Sequence, residues 1–136
     1  MKRLILADAG PLYAAIDPHD RHHARARREL SRLEVDRLAV AVLQPTLMEA
    51  YTLVLNRLGI RAGLAWLREL EIGTLVINPT IDDYAAGRGV VATFPDQRLT
   101  LFDSVLAISS QRLGTPIWTY DHHFEILRAT VWRPSG

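Results

Sequence analysis

Four acidic residues of this 136-residue chain lie where predicted strands end or predicted helices begin. Asp8 directly follows a continuous apolar run, residues 4–7, which is typical of a strand buried on both faces. Asp121 follows another strand pattern at residues 116–119. Because the carboxyl ends of parallel strands share one edge of a sheet, this edge is where sites gather. Asp8 is therefore either a turn residue or part of a site.

The other two acidic residues belong to predicted helices. Glu49 lies in the first turn of a helix predicted to begin near Thr46, and Asp103 in the first turn of one beginning near Thr100. Both pairs have the three-residue spacing of a capping box, and acidic groups favour helix N-termini in any case. Capping therefore explains either residue alone, and only the convergence of all four acids at one edge indicates a site.

Four carboxylates in one pocket repel each other strongly unless a divalent cation holds them. Oxygen-only ligation suits Mg²⁺ or Mn²⁺. We expect Asp8, Glu49 and Asp103 to be direct or water-mediated ligands, with Asp121 completing or orienting the set. Thr119 is expected to hydrogen-bond a ligand or bound water. Since such ions activate water against phosphate esters, the set predicts metal-dependent hydrolysis of phosphodiester bonds.

Apolar runs alternate with helical patterns along the chain. The predicted strands are residues 4–7, 38–43, 75–77 and 116–119, with a further candidate at 130–132. The predicted helices are residues 21–33, 46–58, 62–70, 80–94 and 100–113, with Asp20 as the N-cap of the first and a turn at residues 9–11. This alternation indicates an α/β domain whose parallel sheet is covered on both faces. With no linker or repeat, we predict one domain over residues 1–136.

Composition narrows the classes further. No apolar run approaches the ~20 residues of a membrane span, and we expect a cytoplasmic protein without a membrane partner. The absence of cysteine excludes disulfides, thiolate zinc sites and cysteine nucleophiles. A phosphatase of the aspartyl-phosphate type would need Asp-x-Asp where this chain has Asp8-Ala9-Gly10, and a receiver domain would need a lysine after a late strand, whereas Lys2 is the only lysine.

Basic residues are concentrated in one segment although the net charge is only +1. Six arginines fall within residues 21–37, namely Arg21, Arg25, Arg27, Arg28, Arg32 and Arg37. They form either a solvated helix face or contacts to phosphates, which the arginine fork suits well. Two histidine pairs, His22-His23 and His122-His123, are interpreted as solvated and are left out of the metal site.

Three segments carry a resemblance to a known family. LADAGPLYA at residues 6–14, TLMEAYTLVLNR at 46–57 and LTLFDSVLAISSQRLGTPIWTYDHHF at 99–124 together resemble a PIN domain, closest to the VapC-type ribonuclease toxins of prokaryotic toxin–antitoxin pairs. The resemblance implies a PIN-like α/β/α sandwich with a central parallel sheet, usually homodimeric. It also implies cleavage of single-stranded or structured RNA, and an antitoxin protein that blocks the groove.

The resemblance also implies roles for particular residues. By it, Asp8, Glu49, Asp103 and Asp121 occupy the four acidic positions of the family's metal site. Thr119 matches the hydroxyl residue before the last acid, and Asp96 matches a frequent accessory acid. The prediction is thus a Mg²⁺- or Mn²⁺-dependent endoribonuclease, the toxin of a type II toxin–antitoxin pair. The alternative is a non-catalytic PIN-like interaction domain whose carboxylates act as helix caps.

Overall fold

A computed structural model describes residues 3–134 of the chain. Lys2 and both ends of the predicted 1–136 domain lie outside these residues. The strands are β1 (Arg3–Ala7), β2 (Leu38–Leu43), β3 (Leu75–Ile77) and β4 (Ile117–Trp118). The helices are α1 (Ala9–Ala14), α2 (His23–Val35), α3 (Gln44–Leu58), α4 (Ile60–Gly73), α5 (Ile81–Thr93), α6 (Leu101–Leu113) and α7 (His123–Ile126). Among the described residues, no helix combines the length and apolar character that crossing a membrane requires.

The strands form one parallel sheet in the order β3-β2-β1-β4. Alternate residues of β1 face opposite layers, as strand geometry requires. Leu6 packs in a core cluster with Leu106 of α6 and Phe124 of α7, whereas Ile5 packs in another with Ala26 and Leu33 of α2. A further cluster places α3 and α4 over Val42 of β2. The predicted α/β/α sandwich with a central parallel sheet is confirmed.

Two sequence predictions for the stretch between β1 and α2 are wrong. The turn predicted at residues 9–11 is instead the start of a helix, because α1 begins at Ala9 with Asp8 as its N-cap. Pro11 fits the first helical turn, where its missing N–H would have no intrahelical partner. The helix predicted from residue 21 begins at His23, and Asp20 is not its N-cap. Asp20 instead accepts a hydrogen bond from the backbone N–H of His22 at 2.8 Å.

Other boundaries differ where one element runs directly into the next. Helix α3 begins at Gln44, immediately after β2, so Thr46 is not its N-cap. Helix α4 extends beyond the predicted residues 62–70 to Ile60–Gly73. The candidate strand at residues 130–132 contributes a single parallel bridge, from Val131 to Ile117. The caps predicted at Thr80 and Thr100 are present, each accepting a hydrogen bond from the backbone three residues on.

Candidate active site

The structure brings the four predicted acids into one pocket. A cavity of about 440 Å³ opens at the carboxyl edge of the sheet, and its lining includes Asp8, Glu49, Asp103 and Asp121. Asp8 follows β1 and Asp121 follows β4, while α3 supplies Glu49 and the first turn of α6 supplies Asp103. The convergence arises because β1 and β4 are hydrogen-bonded neighbours, so their ends meet.

Asp8 is buried, with 8% of its surface exposed. One carboxylate oxygen, Oδ1, accepts from the backbone N–H of Ala9 at 2.8 Å, which caps α1. The other, Oδ2, accepts from the Thr119 hydroxyl at 2.8 Å. Burial raises the pKa of Asp8 to about 6; the Thr119 hydrogen bond opposes this rise, while repulsion from Asp103 and Asp121 adds to it.

Glu49 has no capping role. Helix α3 starts five residues before it and has no acidic residue in its first turn. Within residues 3–134, the Glu49 carboxylate takes part in no hydrogen bond and no ion pair. Burial, followed by repulsion from Asp8, Asp103 and Asp121, raises the pKa of Glu49 to about 7. The capping explanation therefore fails for Glu49, and no partner within residues 3–134 compensates the partial burial of its carboxylate.

Asp103 and Asp121 are linked by a histidine that the sequence interpretation had set aside. His123 Nδ1 lies 3.2 Å from Asp121 Oδ1 and 3.8 Å from Asp103 Oδ2, with no aligned hydrogen bond to a described residue. Burial and the Asp121 charge raise the pKa of Asp103. Potential ligand atoms of Asp121, His122 and His123 also lie within 4.8 Å of one another. The exclusion of the histidines from the metal site stays a prediction.

Thr119 is placed between two of the acids. Its hydroxyl donates to Asp8 and accepts from the backbone N–H of Asp121 at 3.0 Å, so its proton is directed to Asp8. Asp96, the predicted accessory acid, lies in the exposed turn at residues 95–98 and does not line this pocket. Its accessory role stays a prediction.

A buried glutamate that the sequence interpretation missed holds the segment carrying Thr119. Glu29 of α2 is 7% exposed and accepts from Trp118 Nε1 at 3.0 Å and from the Tyr120 hydroxyl at 2.6 Å. Trp118 and Tyr120 thus turn towards α2, while the intervening Thr119, beyond the end of β4, turns to Asp8. No local signal marks Glu29, because its partners lie 89 and 91 residues away.

The arginines of residues 21–37 take different positions. Arg21 lines the pocket with His22. Arg25 pairs with Glu29 at 3.4 Å, and its guanidinium lies 4.2 Å from the ring centroid of Tyr120. Arg32 pairs with Asp36 at 3.1 Å. The remaining three, Arg27, Arg28 and Arg37, do not line the pocket.

The donor set fits a hard divalent cation. Carboxylate oxygens are the ligands that Mg²⁺ and Mn²⁺ prefer. None of the four acids forms an ion pair with an arginine within residues 3–134, and mutual repulsion contributes to the raised pKa values of Asp8, Glu49 and Asp103. A bound cation would remove this repulsion, so the arrangement is suited to hold one.

The sequence matches no protein-family model and no curated protein. Solved structures, in contrast, match over nearly its whole length. VapC20 from Mycobacterium tuberculosis, described as a sarcin-ricin loop cleaving toxin, has 21% identity and a TM-score of 0.82, covering 96% of this chain and 99% of that one. VapBC2 from Rickettsia felis, bound to a fragment of its promoter DNA, has 12% identity and a TM-score of 0.70, with coverages of 96% and 99%.

A toxin–antitoxin complex from Klebsiella pneumoniae is also similar, with 16% identity, a TM-score of 0.68 and coverages of 96% and 98%. These likenesses show that the chain has the PIN-domain fold of the VapC toxins. At such identities the likeness concerns the fold, and the chemistry must be argued from the pocket itself.

Proposed function

We propose that this chain is a divalent-metal-dependent endoribonuclease that hydrolyses RNA phosphodiester bonds and acts as the toxin of a type II toxin–antitoxin pair. The observation that carries the proposal is the pocket at the sheet edge. There Asp8, Glu49, Asp103 and Asp121 converge without an arginine partner, and capping does not account for Glu49. The fold shared with VapC20, described as a sarcin-ricin loop cleaving toxin, supports this chemistry.

Asp8, Glu49, Asp103 and Asp121 would hold Mg²⁺ or Mn²⁺. When bound, the ion supplies an activated water and neutralises charge that develops on the phosphate oxygens. The chain's own contribution is orientation. Thr119 fixes the Asp8 carboxylate through its hydroxyl, and the backbone N–H of His123 donates to Asp121 Oδ1 at 2.9 Å. Both carboxylates are thereby held in place before substrate arrives.

The nearest mechanistic competitor uses histidine in place of metal. His22 and His122 line the pocket, His23 and His123 follow them in the sequence, and histidine titrates near neutrality. A histidine mechanism would use the 2′-hydroxyl of the RNA as nucleophile and leave a cyclic or 3′-phosphate. Water attack leaves a 3′-hydroxyl and a 5′-phosphate, and does not need the 2′-hydroxyl.

The test first maps the cut site in RNA, beginning with the sarcin-ricin loop sequence. The same RNA is then made with one 2′-deoxy sugar at that site. We expect cleavage of the deoxy substrate, a 5′-phosphate on the downstream product and complete loss of activity in EDTA. His122→Ala and His23→Ala should each keep most activity. Cleavage that survives EDTA but is blocked by the deoxy sugar would assign the reaction to the histidines.

A cognate antitoxin is the proposed protein partner. Structures of toxin–antitoxin complexes share this fold, which supports the assignment. Next to the site residues Glu49 and Asp103, the apolar side chains Met48 and Phe102 are 59% and 40% exposed. We expect the antitoxin to place an apolar anchor near these side chains and an arginine at the carboxylates. We also propose that the toxin is a homodimer, which light scattering of the purified chain checks.

Expression of the chain without a partner gene tests its role as a toxin. We expect arrest of growth that Asp8→Ala relieves, with both proteins folded and present at similar levels. Normal growth of cells that contain folded, soluble wild-type protein would count against the toxin assignment, although cleavage in vitro would still support the nuclease.

A further inference from the structure

One part of the pocket lining differs in chemistry from the acids. Arg21, His22 and Tyr120 line the same cavity as Asp8 and Glu49. Arg21 and His22 come from the loop that precedes α2, and Tyr120 from the segment after β4. We call these three residues the nucleotide wall. It combines a guanidinium with two aromatic rings beside a site suited to phosphodiester chemistry.

The Tyr120 ring of the nucleotide wall is held by two residues that do not line the pocket. The Tyr120 hydroxyl donates to the buried Glu29, and the Arg25 guanidinium lies over the Tyr120 ring at 4.2 Å from its centroid. The His22 ring packs against Tyr120 with 4.9 Å between centroids and 48° between the ring planes. Because Glu29 also accepts from Trp118, the Tyr120 ring is tied to the core. A preorganised ring pair loses little entropy when a flat partner stacks on it.

Arg21 is the cation of the nucleotide wall. It is exposed, and it forms no ion pair with any residue in the range 3–134, although four carboxylates line the same pocket. Arg25, by comparison, is engaged with Glu29 and Tyr120. An unpaired guanidinium at the rim can donate two parallel hydrogen bonds to a phosphate group.

We propose that the nucleotide wall positions unpaired RNA in the site: Arg21 contacts a backbone phosphate, and a base next to the cleaved bond stacks on the His22–Tyr120 pair. This inference rests on the proposed function. Bases in a duplex are already stacked on their neighbours, so only a single-stranded or looped-out base reaches the rings. His22 and Arg21 are thus positioning residues for substrate, separate from the carboxylates that would hold metal.

The first test compares steady-state cleavage by matched variants. His22→Ala should raise KM about tenfold with little change in kcat, because base stacking is lost. His22→Phe should restore KM, since a phenyl ring stacks but cannot transfer a proton. His19→Ala is the control, since His19 is an exposed histidine of the same loop that does not line the pocket. A fall in kcat that His22→Phe fails to restore would overturn the stacking role.

The second test concerns the phosphate contact. Arg21→Ala should raise KM and reduce the dependence of log affinity on log salt concentration by about 0.7, the value for one phosphate of a single strand. Arg27→Ala, which removes an exposed arginine of α2 that does not line the pocket, should leave the dependence unchanged. Equal changes in the salt dependence of the two variants would show that Arg21 acts only through net charge. That result would overturn the proposed contact between Arg21 and a phosphate.

The third test joins protein and substrate in one cycle. An abasic nucleotide next to the mapped cut should raise KM for wild type but add nothing in His22→Ala. Additive effects would overturn the inference. If wild type cleaves no RNA, the proposed function fails on its own. The nucleotide wall is then tested by fluorescence anisotropy with a short labelled single-stranded RNA of random sequence. Binding that is weaker for Arg21→Ala and His22→Ala than for their controls supports it, and equal binding overturns it.

Discussion

Asp8 and Asp83 are both buried aspartates at the start of a helix, yet their surroundings shift their pKa values in opposite directions. Each accepts hydrogen bonds from a backbone N–H and from a hydroxyl, Thr119 for Asp8 and Ser109 for Asp83. The Arg112 guanidinium holds the pKa of Asp83 at about 2, whereas burial raises the pKa of Asp8 to about 6. Hydrogen bonds alone therefore do not compensate a buried carboxylate here.

The two aspartates differ in what balances their charge. Asp83 lies 2.8 Å from Arg112 and joins α5 to α6, so its charge is balanced within the protein. At the sheet edge, Asp8, Glu49 and Asp103 repel one another, and their pKa values are raised. Carboxylates whose pKa values are raised in this way cluster at functional sites.

The largest expected effect is the loss of cleavage on removal of one site charge. Asp8→Asn and Asp103→Asn should each reduce the rate roughly a thousandfold, because metal-ion stabilisation is worth several kcal/mol. Asp83→Asn is the matched control and should change stability but spare activity in proportion to folded protein. Cleavage assays, with circular dichroism to monitor folding, check this. An active, folded Asp103→Asn protein would contradict the metal role.

The metal-free protein should lose stability as pH rises. Asp8 and Glu49 have folded-state pKa values of about 6 and about 7, above their ordinary 3.8 and 4.5. At any pH between the ordinary and the raised pKa of each residue, the folded state therefore holds more protons than the unfolded state. The free energy of unfolding accordingly falls as pH rises through 6 and 7. We expect a change on the order of a few kcal/mol between pH 5 and 8, measured by urea unfolding in EDTA. Glu49→Gln should flatten the curve, and an unchanged slope in this variant would contradict the assignment.

The opposite pH dependence is expected from the Asp83–Arg112 pair. Because the pKa of Asp83 is lowered to about 2, the pair stabilises the fold above pH 4 and loses this effect as pH falls towards 2. Arg112→Ala should lower the melting temperature by several degrees at neutral pH and remove this acid dependence, while Mg²⁺ should stabilise the variant as much as wild type. A variant that unfolds in acid in the same way as wild type would show that the pair is not responsible.

A smaller effect is expected from the hydroxyl that orients Asp8. Thr119→Val keeps the side-chain shape but removes the hydrogen bonds to Asp8 and from Asp121, so we expect activity to fall roughly tenfold to a hundredfold. Thr119→Ser should keep most activity. Cleavage rates at saturating Mg²⁺ distinguish the two, and equal rates would show that Thr119 is not needed for orientation.

Local patterns in the sequence predicted the four strands of the sheet and the convergence of the four acids at its edge. Asp8 and Asp121 follow buried apolar runs, and the parallel arrangement brings such ends together. Glu49 was placed correctly by a wrong local argument, because β2 runs directly into α3 at Gln44 and leaves Thr46 inside the helix. Where a helix directly follows a strand, its first residue depends on how the two elements are joined. The capping-box spacing of a sequence carries no information on that connection.

The residues that escaped prediction act through distant partners. Glu29 was given no role by the sequence, but it is buried against Trp118 and Tyr120 from the other end of the chain. His123 looked solvated, yet only 19% of its side chain is exposed, because it lies between Asp103 and Asp121. Single-sequence patterns carry no information on such pairings, because the sheet order brings these residues together only in the folded chain.

If the pocket carboxylates bind a divalent cation, metal binding releases protons from the protein. Carboxylates with pKa values of about 6 and 7 carry protons near neutrality, and a cation displaces them. Calorimetric titration with Mg²⁺ at pH 6.5, in two buffers of different ionisation enthalpy, measures the number released. We predict net proton release for wild type and Asp83→Asn, less release at pH 8, and neither release nor binding for the Asp8→Asn/Asp103→Asn double variant. Equal Mg²⁺ binding by the double variant and wild type, or binding at pH 6.5 without proton release, would show that these carboxylates do not form the cation site.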